Sequence, residues 1–307
     1  MSDVKYMSLD GKVVPAADAR IHILSPAVKY ATNVFEGIRG YWNQARNEMF
    51  LFRLTEHLER MRFSMKVMRF AERFTVERMR DAILELIRAN GTREDTYVRL
   101  YAFVDEPDGE MTATGPVRMA IAATPRGGRG RGNKGAHCAV SSWARIADHS
   151  LPPRIKCVAN YNNSRLAWLQ AKADGYDNVI LLTAAGKVSE GPGACVVLVR
   201  DGVPITPSLT SDILESVTRR TLIEIFPESF GCAVVERDVG RSELYAAEEA
   251  FFCGTGHEIL PILSIDRHPV GSGELGHLTM AVQKRYFSLV RGESDDHAEW
   301  RTPVYGG

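Results

Sequence analysis

The sequence carries no excess of charge of either sign: 38 lysines and arginines balance 38 aspartates and glutamates. A nucleic-acid-binding protein needs a basic surface to displace phosphate counterions, so the balance argues against that class. Long apolar runs are missing as well. The longest, Ala194–Val199, has six residues, where roughly 20 are needed to span a bilayer. The stretch Met1-Ser2-Asp3-Val4-Lys5-Tyr6 holds no apolar signal core, and the expectation is a cytoplasmic protein with no membrane partner. Cysteine is scarce: Cys138, Cys157, Cys195, Cys232 and Cys253 are odd in number, scattered, and form no Cys-x-x-Cys pair. They read as free thiols in a reducing compartment, not as a disulfide framework or a metal site. No Gly-x-Gly-x-x-Gly opens a helix after a strand, which argues against a Rossmann dinucleotide site. Lysine is also rare, nine of the 38 basic residues, and most of the nine stand among polar or turn residues. Lys156 does not.

What is present is an ordinary globular composition, 45% hydrophobic and 25% charged over 307 residues, enough for one or two domains. One break interrupts it. Thr124-Pro125-Arg126-Gly127-Gly128-Arg129-Gly130-Arg131-Gly132-Asn133-Lys134-Gly135 has five glycines and a proline in twelve residues, too much backbone freedom for a regular element. It divides the chain into a small α+β domain at 1–124, an interdomain loop at 125–135 and a larger strand-rich domain at 136–307. In the first domain Val34–Tyr41 and Met49–Phe52 read as strands around a turn. A helix starts at Thr55, a second spans Val76–Ala89, and Thr96–Phe103 and Val117–Ala123 are further strands. In the second, Asp201-Gly202 between Ala194–Arg200 and Val203–Thr206 marks a hairpin. Asn178–Thr183 and Lys187–Ser189 flank another turn, and helices are expected at Ser164–Ala173, Thr218–Phe226 and Leu278–Leu289.

Three elements bear on chemistry. Lys156 lies in Pro152-Pro153-Arg154-Ile155-Lys156-Cys157-Val158, whose apolar neighbours and rigid lead-in place it at the end of a strand, pointing inward. An ammonium is costly to bury, so a lysine so placed gives up its proton and becomes a nucleophile able to form a Schiff base. Glu190, followed by Gly191-Pro192-Gly193, stands on a tight turn where a flat ligand can approach the backbone. Ser216-Val217-Thr218-Arg219 opens a helix whose free N–H groups suit an anion, Thr255-Gly256 follows a strand, and Arg53 adds a permanent positive charge. Each alone also fits an amphipathic strand position, an exposed turn or an ordinary helix start. Together they supply an amine, a carboxylate for a ring nitrogen and a phosphate cup, which are the needs of pyridoxal 5′-phosphate.

These residues carry a resemblance. Val34-Phe35-Glu36-Gly37-Ile38-Arg39, Phe52-Arg53-Leu54-x-Glu56-His57, Tyr97-Val98-Arg99 and Lys156-x-x-x-Asn160-Tyr161-x-Asn163-Ser164 are followed by four more segments. Those are Ser189-Glu190-Gly191-x-Gly193, Asp201-Gly202-Val203, Val217-Thr218-Arg219 and Gly254-Thr255-x-x-Glu258-Ile259. In this order the chain resembles the class IV, fold-type IV aminotransferases over nearly its whole length, and within them the branched-chain amino-acid aminotransferases. The resemblance implies a two-domain α+β enzyme, a small α/β domain beside a larger barrel-like one, acting as a homodimer or higher homo-oligomer. It implies transamination of branched-chain L-amino acids with 2-oxoglutarate as the 2-oxo acid acceptor. The alternatives on the same fold are a D-amino-acid or (R)-amine transaminase and, in another reaction class, an aminodeoxychorismate lyase.

By the same resemblance Lys156 is the catalytic residue. Arg53, Lys156, Tyr161, Glu190, Leu214, Val217, Thr218 and Thr255 hold the cofactor, with Glu190 on the ring nitrogen, Tyr161 on the ring hydroxyl and Leu214 against the ring. Phe35, Gly37, Tyr97, Gly193 and Gly256 line the substrate pocket, Arg99 takes the distal carboxylate of glutamate, and Tyr30 reaches a neighbouring subunit's pocket. Arg39 is either at the pocket mouth or in a structural ion pair. The sequence departs from the family pattern at Gly254-Thr255-Gly256-His257-Glu258, where Gly-Thr-Ala-Ala-Glu is usual. It departs again at Asn162, at Ala194-Cys195 and at Ser216.

Overall fold

The computed structural model describes residues 4–126 and 134–306; residues 127–133, most of the loop expected to join the domains, lie outside the described residues. In chain order the elements begin with β1 (Tyr6–Leu9), β2 (Lys12–Pro15), α1 (Pro26–Lys29), β3 (Asn33–Asn43) and β4 (Glu48–Phe52). Then come α2 (Leu54–Val67), α3 (Val76–Asn90), β5 (Thr96–Val104), β6 (Val117–Pro125), β7 (Ala136–Ala144), α4 (Asn160–Ala173) and β8 (Asn178–Leu182). They continue with β9 (Cys195–Arg200), β10 (Val203–Thr206), α5 (Val217–Phe230), β11 (Val235–Glu236), β12 (Glu249–Gly254) and β13 (Glu258–Ile265). The last are β14 (His268–Pro269), α6 (His277–Val290) and β15 (Arg301–Pro303). The class is α+β, as the sequence indicates.

Two compact units emerge from the packing: Met1–Gly128 with Ile155–Ala159 and Ser288–Gly307, and Arg129–Arg154 with Asn160–Phe287. The sequence reading assigns all of 136–307 to one domain, whereas two stretches of it pack with the first unit. Hydrogen bonding explains this: β15 pairs antiparallel with β4, Arg301 opposite Phe52. The Lys156 segment is held by a single bridge, Cys157 to Val34, with the Phe35 N–H donating to the Lys156 carbonyl at 2.9 Å. Lys156 is therefore not at the end of a regular strand. The prolines before it cannot donate to a ladder, and pairing is confined to that bridge.

The first unit has a seven-stranded sheet in the order β15-β4-β3-β5-β6-β1-β2. Successive strand residues point to opposite faces. On β3 and β5 the residues Val34, Ile38, Val98, Leu100 and Ala102 are fully buried. Helix α2 packs on β3 through Leu58, Met61 and Met65. The α3 boundaries follow from its caps: the Thr75 hydroxyl accepts from the Arg78 N–H, and Gly91 closes the helix at φ 61. The second unit has an eight-stranded sheet, β11-β10-β9-β12-β13-β7-β8 with β14 on β13. Its core is built from Val196, Leu198, Ala250, Phe252 and Ile262. The β9–β10 turn has Asp201 and Gly202 at φ 51 and 71, the positive pair that the Asp-Gly signal predicts. Lys187–Ser189 forms only isolated bridges and no strand. All five cysteines are free. Burial pushes the Cys138 and Cys253 thiols up, Cys253 to about 12, so both are inert packing groups. Among the described residues no helix is long and apolar enough to cross a membrane.

Candidate active site

In the first unit the alternation of β3 and β5 sorts the predicted residues onto one face. Phe35, Gly37 and Arg39 share parity on β3, and their antiparallel partners on β5 are Tyr101, Arg99 and Tyr97. Five of the predicted substrate residues thus lie side by side. The Arg99 guanidinium is over the Phe35 ring at 5.2 Å and the Tyr97 ring at 5.5 Å. The Lys156 amine is 4.8 Å from the Phe35 ring centre. Arg126, which the sequence reading leaves in the loop, lies 5.5 Å over Tyr97. The face combines aromatic walls with fixed positive charge, a surface for an anion carrying an apolar body. Arg39, only 9% exposed, belongs to it. Tyr30 follows α1 directly and is 41% exposed.

Gly37 makes this face possible. A Cβ there would collide with the Tyr97 hydroxyl and come within 2.6 Å of Cζ. The colliding atoms are the far end of a side chain, so Gly37→Ala is expected to move the Tyr97 ring and spare the backbone. The expected result is a fall in kcat/KM of about 100-fold, the usual cost of a displacement near 1 Å, with little change in melting temperature. Wild-type kinetics would remove Tyr97 from the pocket.

The opposite face of β3 turns Glu36 into the unit's interior, where it is fully buried. Two residues one turn apart on α2 meet it: the His57 Nδ1 position is 2.8 Å from Oε2, and Arg60 donates Nε to Oε1 at 2.7 Å and Nη2 to Oε2 at 2.8 Å. Burial raises the Glu36 carboxyl, but the Arg60 charge and the hydrogen bonds of Arg60 and His57 outweigh it and hold it at about 2. Burial lowers His57, the Glu36 carboxylate only partly opposing, so the ring is neutral at neutral pH. One turn further along α2, the Ser64 hydroxyl accepts from the Lys156 N–H at 3.1 Å. Helix α2 thus ties down both β3 and the backbone of the candidate catalytic lysine.

Arg53 caps α2 from the left-handed region, φ 47 and ψ 45, a conformation costing a non-glycine residue about 1–2 kcal/mol. Its side chain is 1% exposed. A guanidinium keeps its charge at any ordinary pH, so a buried one requires an anionic or aromatic setting.

In the second unit Glu190 pairs with Cys195 across a tight turn closed by the Gly191 N–H to the Ala194 carbonyl, 2.8 Å. Gly191 is required because a Cβ would lie 2.7 Å from the Phe252 ring. The carboxylate is 5% exposed and fixed through both oxygens. Arg145 donates Nε and Nη2 to Oε1 at 3.1 and 3.0 Å, while the Leu214 N–H and the Cys195 thiol donate to Oε2 at 3.2 and 3.9 Å. Leu214 leads into α5, whose first turn carries Val217 and Thr218. The Ser216 hydroxyl caps the Arg219 N–H at 3.2 Å, and the Val217 and Thr218 N–H groups have no intrahelical carbonyl to bond. Arg219 is tied to Thr206, Pro207 and Glu236 and anchors the helix to the sheet. Thr255 and Gly256 form the β12–β13 turn, and at Gly254, which ends β12, a Cβ would lie 3.1 Å from the Gly193 carbonyl of the Glu190 turn. Glu190, Gly193, Leu214, Thr255 and Gly256 are thus carried by adjoining segments. Tyr161 is half-buried in the first turn of α4.

A model of the amino-transferase class IV family matches residues 33–265. The chain belongs to that family. It is 41% identical to the structure of branched-chain amino acid aminotransferase from Thermobaculum terrenum in PLP-form, with a TM-score of 0.94 and 100% of both chains covered. It is 34% identical to a second solved structure, a T.th. branched-chain amino acid aminotransferase complexed with N-(5′-phosphopyridoxyl)-L-glutamate, TM-score 0.94, covering 99% of this chain and 100% of that one. It is 36% identical over 301 residues to the probable branched-chain-amino-acid aminotransferase of Aquifex aeolicus, 98% of this chain and 97% of that protein. The two-unit α+β fold is that of fold-type IV.

Four residues not singled out from the sequence are tied by the structure to the candidate site: Arg145 on Glu190, the Glu36 and Arg60 pair beneath β3, and Trp300 beside Arg53. Only Glu36 carries a local signal, since it shares parity with the apolar Val34 and Ile38.

Proposed function

We propose that this enzyme transfers the amino group of branched-chain L-amino acids to 2-oxoglutarate with pyridoxal 5′-phosphate. The observation that carries the reading is the face of Phe35, Gly37, Tyr97 and Arg99 with the Lys156 amine over Phe35. The donor set suits the cofactor: a half-buried primary amine, a buried carboxylate held in one orientation by Arg145, a buried guanidinium and the open first turn of α5. When bound, pyridoxal 5′-phosphate supplies an aldehyde carbon for the amino group and an electron-withdrawing ring that stabilises charge at Cα. The chain's residues do the rest. Lys156 would anchor that carbon in the resting enzyme and, once displaced by the substrate amino group, its amine would carry the proton at the substrate Cα. Glu190 holds the ring-nitrogen proton, Tyr161 bonds the ring hydroxyl and Leu214 packs on the ring. Arg53, Val217, Thr218 and Thr255 hold the phosphate, where a helix start and an Arg fork both favour a dianion.

Phe35, Gly37, Tyr97, Gly193 and Gly256 receive the substrate, Arg39 stands at the pocket mouth and Arg99 takes the acceptor's distal carboxylate. Support for a dicarboxylate acceptor comes from the glutamate adduct of the T.th. relative and from the two guanidinium groups, Arg99 and Arg126, that lie over Tyr97. Ile23, Val28 and Tyr30 are exposed around α1, which fits assembly as a homodimer. The test is a donor screen of L-leucine, L-valine, D-alanine and (R)-1-phenylethylamine against 2-oxoglutarate. Turnover of the D- or (R)-donors alone would overturn the reading. Arg99→Ala is expected to raise KM for 2-oxoglutarate about 10- to 100-fold, the worth of a charged hydrogen bond, and to leave KM for L-leucine within a few-fold.

A further inference from the structure

We infer that Trp300 is a positioning residue for the cofactor phosphate, acting through Arg53; the inference rests on the assignment of Arg53 to that phosphate. The Arg53 guanidinium lies over the Trp300 ring at 3.7 Å, and the Arg53 N–H donates to the Trp300 carbonyl at 2.7 Å. Backbone and side chain of Arg53 are both referred to one residue, 247 positions along the chain. The ring itself is clamped. His297 stacks on it at 3.8 Å with an 11° interplanar angle, and Phe52 meets its edge at 6.2 Å. The β15–β4 pairing beside it, Arg301 opposite Phe52, fixes the register that brings the two together.

The chemistry of the contact is selective. An arginine held by carboxylates spends its N–H groups on them. Glu56 offers one such contact, to Nη1 at 3.3 Å. The indole takes the flat face of the guanidinium and none of its hydrogens, so this contact spends neither the charge nor an in-plane donor. Because Arg53 is in the left-handed region, the helix after it does not set its side-chain direction, and the ring does.

The test measures equilibrium binding of pyridoxal 5′-phosphate to the apoprotein in phosphate-free buffer, beside pyridoxal, which has the same aldehyde and ring without the phosphate. Trp300→Leu is expected to raise the Kd of the phosphorylated ligand about 10- to 30-fold, the range of a desolvated cation–π contact, and to leave that of pyridoxal unchanged. Trp300→Phe, which keeps an aromatic face, should lose only a few-fold and carries the test if the leucine variant fails to fold. In an Arg53→Gln background Trp300→Leu should add little. Equal loss of both ligands, additive effects, or a wild-type preference for the phosphorylated ligand in Trp300→Leu would overturn the inference. If Arg53→Gln itself leaves that preference intact, the assignment of Arg53 fails and the inference with it. If Arg53→Gln abolishes the preference and Trp300→Leu does not, the inference alone fails.

Discussion

Lys156→Ala is expected to reduce transamination by several powers of ten and leave the folded protein intact. Two separate jobs are lost. Proton transfer by a positioned base contributes about 10²–10⁴-fold, and covalent attachment through the same amine contributes further. The fold should survive because the segment is held by its backbone: the Lys156 N–H to Ser64, its carbonyl to Phe35 and the bridge of Cys157 to Val34 involve no side-chain atom of the lysine. What the side chain contributes structurally is its amine over the Phe35 ring, worth about 0.5–1 kcal/mol at a partly exposed site. Lys156→Arg separates the roles, since it can place a guanidinium over Phe35 but cannot form a Schiff base. It should be nearly as inactive as the alanine variant and melt closer to wild type. The measurements are turnover with L-leucine and 2-oxoglutarate, the visible band of the bound cofactor, and the melting temperature. A covalent, borohydride-reducible cofactor in Lys156→Ala would place the attachment on another residue.

How much of this could be read from sequence depended on whether the information was local. Asp201-Gly202 announces the β9–β10 hairpin, and the structure ends α3 at Thr75 and Gly91, because caps and two-residue turns are decided by the residues that form them. The strands β3 and β5 are expected, Thr96–Phe103 from partial alternation, but the shared face of Phe35, Gly37, Arg39, Tyr97 and Arg99 follows from their antiparallel register. The resemblance supplied roles that alternation could not. Long-range pairings left no local trace. Trp300 follows the polar stretch 293–299 and reads as a loop residue, yet it lies over Arg53. Arg145 follows β7, whose run of small residues has a weak period, and its partner Glu190 is 45 residues away. The strand expected at Lys156 reduces to one bridge, since Pro152 and Pro153 remove donors before it. Glu36 is the instructive case: it shares parity with the apolar Val34 and Ile38, the structure buries it with them, and a buried carboxylate requires a cation nearby.

That requirement leads to the largest stability effect expected of a single substitution here. Glu36→Gln leaves Arg60 charged, nearly buried and without its carboxylate, a change that costs about 3–5 kcal/mol when a buried pair is broken. The pH dependence gives an independent measure. The Glu36 carboxyl sits at about 2 in the folded protein against an ordinary 4.5. A depressed acid contributes stability that is complete above 4.5 and disappears as pH falls towards 2, on the order of 3 kcal/mol for a shift of this size. His57, lowered from 6.5 by burial, acts in the same direction: the unfolded chain takes up its proton first, so stability falls as pH drops below 6.5. Denaturant midpoints of wild type and Glu36→Gln should therefore differ widely at pH 7 and converge between pH 4.5 and 2. A constant gap across that range would show that the network contributes shape rather than charge. Since Phe35 and Gly37 flank Glu36 on the other face of β3, loosening it should also lower kcat/KM. Adding Arg60→Met to Glu36→Gln should recover most of the stability, because the unpaired charge is gone. It should not recover the activity, because the hydrogen bonds that hold β3 to α2 are lost with it.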